Sequence, residues 1–126
     1  MIESLISIGS LMIDLFKAKS MQDEQSSEEL QDALYKIADL LDAVSFDLEN
    51  GVYPHGKCAE MDMLSVNLHD ALTGDLPDEY LDILKNNLNS AVEIEKMYAY
   101  KDDPNQIQKL RIAAGYFRAA SILATI

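Results

Sequence analysis

The chain has 126 residues, 48% of them hydrophobic and 25% charged, with only five glycines and three prolines, which suits one packed core and excludes disorder and turn-rich all-β folds. Its 22 acidic against 10 basic residues leave a net charge of −12, a field that repels phosphate backbones and anionic lipid headgroups, so no nucleic-acid partner is expected. A single cysteine excludes an internal disulfide framework, the apolar N-terminus lacks the basic start of a secretory signal, and no apolar run approaches the roughly 18 residues of a membrane span; one cytoplasmic domain over residues 1–126 is the expectation.

Residues 2–19 read as a first helix, because Ile2, Leu5, Gly9, Met12 and Phe16 fall at alternating steps of three and four. Ile6, Ile8, Leu11, Ile13 and Leu15 widen the apolar face beyond what one neighbour covers, which predicts burial, pairing with another chain or contact with lipid. Ser20 to Gln25 is a polar loop, and Ser26 or Ser27 supplies the cap of a second helix with acids in its first turn. Leu30, Leu34, Ile37, Leu41, Val44 and Leu48 then form an unbroken seam of the kind that packs helical bundles.

Asn50-Gly51 stops this helix, since either residue takes the left-handed conformation at low cost, and Pro54 disfavours helix at Tyr53. A third helix begins after Gly56, with Met61, Leu64, Leu68 and Ala71 or Leu72 on one face, and ends near Thr73-Gly74. Asp75-Leu76-Pro77 starts a fourth, whose face is Leu81, Leu84, Leu88, Ala91 or Val92, and Tyr98. Asp103 caps a fifth with Pro104 in its first turn, and Ile107, Leu110, Ala114, Phe117, Ser121 and Ala124 repeat the seam. The small residues Ala113, Ala114, Gly115, Ala119, Ala120 and Ser121 predict that a neighbouring backbone approaches this last helix closely. No stretch alternates at period two, so the fold class is all-α, an up-and-down antiparallel bundle of four to five helices with an apolar N-terminal helix.

Residues with chemical potential are sparse. His55-x-x-Cys58 is one ligand pair where a structural zinc site needs two, and His69 lies eleven residues beyond Cys58, about three turns along a helix. Di-iron bundles need Glu-x-x-His, yet the residues three before His69 and His55 are Val66 and Val52. Cys58 beside Lys57 at a helix start, with His55 near, is an arrangement that can lower a thiol pKa, but no third group orients the histidine. The acid groups at Glu28, Glu29 and Asp32 and at Glu93 and Glu95 read as solvated faces. No cofactor or metal is therefore expected.

Charge is unevenly placed: residues 26–50 hold seven acids against Lys36 alone, whereas residues 104–126 hold Lys109, Arg111 and Arg118 and no acid. Those segments should attract one another, within one molecule or between two. The expectation is a non-enzymatic module that binds a protein partner or a copy of itself, with Leu5, Ile8, Leu11 and Leu15 of the first helix and Arg111, Gly115 and Arg118 of the last as the interaction residues. The alternatives are membrane activity through the first helix and a small enzyme using Cys58 or a carboxylate cluster.

Overall fold

The computed structural model describes residues 2–21, 28–72, 78, 81–82, 85–86 and 98–123. Four helices organise them: α1 (Ile2–Met21), α2 (Glu28–Glu49), α3 (His55–Leu72) and α4 (Pro104–Leu123). No strand occurs among the described residues. The predicted caps at Ser26 and Ser27, the ends at Thr73-Gly74 and at Asp75-Leu76-Pro77, and most of the fourth predicted helix lie outside them. Asp78, Leu81, Asp82, Lys85, Asn86 and Tyr98, which belong to that prediction, are helical, and Leu81 is buried.

α4 packs against both α1 and α2, and α3 packs against α2. The seams position them. Leu34, Ile37, Leu41, Val44 and Leu48 of α2 are fully buried, and Ile107, Leu110, Ala114 and Phe117 of α4 meet them with Leu5, Met12 and Phe16 of α1. Each buried aliphatic or aromatic side chain of this size contributes about 1.5–3 kcal/mol. Ser121 is buried within the α4 seam and remains satisfied, because its hydroxyl donates to the Gln31 carbonyl of α2 at 3.0 Å.

The ends of the helices follow from local chemistry. Gly51 has φ +70°, its N–H donates to the Leu48 carbonyl at 3.1 Å, and the Val52 N–H donates to the Asp47 carbonyl at 2.7 Å. These two bonds close α2 as a Schellman motif, with glycine where a side chain would be strained. α3 begins at His55, two residues earlier than a start after Gly56, because the Pro54 carbonyl already accepts the Cys58 N–H at 3.1 Å. At the start of α4, Asp103 Oδ1 accepts the Asn105 and Gln106 N–H groups at 3.1 and 3.3 Å, while Pro104 occupies the position that needs no N–H.

Of the small residues of the last helix, Gly115 takes no part in a close approach, which is seen instead at a different glycine. A Cβ on Gly9 of α1 would stand 2.7 Å from the Tyr116 Cβ, so α1 and α4 meet with Tyr116 seated over Gly9. Gly115 is exposed, and nothing lies within 4 Å of where its Cβ would stand. Ala113, Ala114 and Ala120 are buried on the core side, whereas Gly115 faces away from it.

Candidate functional site

The bend between α2 and α3 holds the chain's most reactive residue types, and packing decides what they can do. Cys58 is buried in the core cluster with 4% exposure, and burial, with the Asp47 carboxylate nearby, pushes its thiol up to about 11. That is opposite to the shift a nucleophile needs. Lys57, the cation expected to favour a thiolate, is held by Asp47 at 2.5 Å. Asp47 is itself buried, so Lys57 serves to compensate a carboxylate taken out of water. His55 is exposed and stacks on Tyr53 at 6.4 Å between ring centroids, while His69 lies near the other end of α3 with Nδ1 3.6 Å from Asp70. Among the described residues, no three His, Cys, Asp or Glu side chains come together in a way that holds a metal ion.

Beside this bend the chain forms a second aromatic contact. Tyr53 meets Tyr98 edge to face at 4.9 Å, the Tyr98 hydroxyl donates to the Gly51 carbonyl at 3.4 Å, and the Lys101 ammonium sits 4.3 Å above the Tyr98 ring. A groove of about 320 Å³ opens next to it, between Glu49, Lys101, Asp102, Pro104, Ile107, Gln108 and Arg111. Its walls carry two cations and two carboxylates and neither a thiol nor an imidazole, so it offers no nucleophile and base pair.

The three basic residues of α4 are committed to acids of the same chain. Lys109 Nζ lies 2.6 Å from Glu3 Oε1 of α1, and this contact holds the Glu3 carboxyl down to about 2. A lowered carboxyl stabilises the fold above its ordinary value near 4.5 and loses that contribution as pH falls through about 2. Arg111 pairs with Glu49. Arg118 bridges Asp39 and Asp42, both at 2.9 Å, with its guanidinium 5.9 Å from the Tyr35 ring centroid. The attraction between the acidic and basic segments is therefore exerted within the molecule.

The predicted interaction residues accordingly part company. Leu5 and Ile8 are buried in the chain's own core, and Leu11 and Leu15 are half-buried, Leu15 against that core. Arg111, Gly115 and Arg118 come together along the border of α4 with α2. Sequence reasoning missed their neighbours on α2. Phe46 is 64% exposed and Tyr35 50%, eleven residues apart and so on one helical face with Asp39 and Asp42 between them. The signal was available, since neither aromatic falls on the α2 seam. On α4, Ile112 is also exposed, at 41%. Together these residues form an outward surface of aromatic and aliphatic groups crossed by two ion-pair groups. Met63 and Val66 of α3 are exposed as well, flanked by the exposed Asp62 and Asn67.

Comparison with protein-family models, curated proteins and solved structures finds no match to this chain.

Proposed function

We propose that the chain is a non-enzymatic protein-interaction module, one domain built as an up-and-down helical bundle. The observation that carries this reading is the outward face shared by α2 and α4, where Phe46, Tyr35 and Ile112 stand exposed in a chain of net charge −12. Large apolar side chains grouped on the surface of so charged a protein mark a place where another molecule excludes water. The ion pairs that cross the face suit it to recognition, because surface pairs add little stability but discriminate between partners.

A protein partner fits better than the alternatives. Enzymatic use of Cys58 requires an accessible thiolate, whereas this thiol is buried and its pKa raised. Use of α1 on a lipid surface requires its apolar face, yet Leu5, Ile8, Met12 and Phe16 lie inside the core. Among the described residues no helix is long and apolar enough to cross a membrane. Nucleic-acid binding requires available cations, while Lys109, Arg111 and Arg118 all engage carboxylates.

The test is site-directed photo-crosslinking in the cells that make the protein. A photoreactive phenylalanine analogue at Phe46 or Ile112 is expected to yield adducts of discrete mass, and the same analogue at Glu60 of α3, also exposed, none. Absence of any adduct from Phe46 and Ile112 removes the reading.

A further inference from the structure

The contacts between α2 and α4 fix the register of their shared face. Glu49 pairs with Arg111 near one end, and Asp42 and Asp39 pair with Arg118 further along. Phe46 lies three residues before Glu49 and four after Asp42, while Gly115 lies four after Arg111 and three before Arg118. Phe46 and Gly115 are therefore level with one another across the border of the two helices. One is a projecting ring, 64% exposed, and the other is a hollow with nothing within 4 Å of its missing Cβ.

A projection and a hollow at one level on antiparallel helices, with acids on the first helix and bases on the second, make a surface complementary to itself. We infer that this face binds a second copy of the chain about a twofold axis along the α2–α4 border, with Phe46 of each copy seated over Gly115 of the other. This rests on the interaction-module reading and names its partner.

The axis lays α4 of one copy over α2 of the other. Arg111 then comes over the second copy's Glu49, and Arg118 over its Asp39 and Asp42, so each guanidinium lies between carboxylates of both chains. The surplus carboxylate at Arg118, two acids to one base, gives the second guanidinium an acceptor. Tyr35, beside Arg118 in its own chain, falls within the same layer.

Mid-helix glycine also acquires a reason. It costs about 1 kcal/mol relative to alanine, and among the described residues nothing lies within 4 Å of where its Cβ would stand. Two helices about 30 Å long and about 10 Å apart present on the order of 600 Å² per copy, somewhat less than a standard stable interface. An interface of that size calls for a test that spans micromolar concentrations and above.

Sedimentation equilibrium of the purified chain over roughly 5–500 μM tests this. The weight-average mass is expected to rise from 14.1 kDa towards twice that value. Gly115→Leu places its Cβ where nothing lies within 4 Å, and leucine favours helix over glycine, so it is expected to keep its helical circular dichroism and thermal transition while weakening association at least ~tenfold. Glu49→Arg and Arg111→Glu each set like charges against like across the twofold, and each is expected to be monomeric. An equal mixture of those two variants restores opposite charges at both symmetry-related contacts and should dimerise.

A strictly monomeric wild-type chain, a dimer indifferent to Gly115→Leu, or a mixture that fails to associate each overturns the inference. If the chain is monomeric while Phe46 still crosslinks to a different protein, only the choice of a second copy falls. If Phe46 and Ile112 crosslink to nothing, the interaction reading falls with it.

Discussion

The two opposite faces of α4 carry the same kind of pattern and meet different fates. Towards the core stand Ile107, Leu110, Ala114 and Phe117, all buried; away from it stand Gln108, Ile112 and Gly115, all exposed. Neither face bears a charge. The charged residues occupy the borders instead, Lys109 towards α1 and Arg111 and Arg118 towards α2. On most surface helices charge marks the side that meets water, but here it marks the lines along which neighbouring helices are joined. An uncharged outward strip on the same helix is thus a separate property of the sequence, with no part in holding the core.

The largest contrast is between aromatic and aliphatic truncations on those two faces. Phe117→Ala is expected to cost about 3–5 kcal/mol in urea unfolding, since the ring is fully buried. Ile112→Ala should change stability by no more than about 0.5 kcal/mol. Comparable losses from both would mean that the outward face is structural.

Much of the inner face was legible in the sequence. Steps of three and four located the buried residues of α2 and α4, and Gly51, Asp103 and Pro104 acted as the stop and start signals that their backbone chemistry implies. The role of Gly115 was not legible. Small residues surround it on every side of the helix, so composition cannot say which of them a neighbour approaches. The seat of the close contact, Gly9, is set by Tyr116, more than a hundred positions away, and no local pattern joins the two. The residues of the candidate surface were legible only in part. Arg111 and Arg118 stood out by charge, but whether their acids lie in the same chain depends on helix packing, and the apolar width of α1 says nothing about which element covers Leu5 and Ile8.

The two glycines give the next largest difference. Gly9→Ala forces its Cβ against the Tyr116 Cβ and should lose about 1–3 kcal/mol, whereas Gly115→Ala should gain up to about 1 kcal/mol. Their thermal midpoints therefore move in opposite directions, and a shared direction would contradict the assignment of faces.

Cys58 measures how dry the interior is. Its thiol should resist aromatic disulfide reagents at pH 8 in the folded protein and react at the rate of global unfolding. The unfolded chain releases this proton near 9 and the folded chain near 11, so between those values the folded state holds more protons and stability falls as pH rises. The slope attributable to this thiol, on the order of 1 kcal/mol per pH unit, should vanish in Cys58→Ala.

The smallest effect is expected at the border. Arg118→Gln removes a half-exposed cation from Asp39 and Asp42 and should cost about 0.2–1 kcal/mol, less in high salt. A larger loss would make the ion pairs part of the core's stability and not of its outward face.

The Glu3–Lys109 pair joins residues 106 positions apart, and Gly9 finds Tyr116 at a similar separation. A ribosome adding about 5–20 residues per second takes roughly 5 to 20 seconds to travel that distance. Throughout that interval the helix that covers the apolar face of α1 is still being made. Leu5, Ile8, Met12 and Phe16 therefore gain their final cover only once α4 is made, late in synthesis.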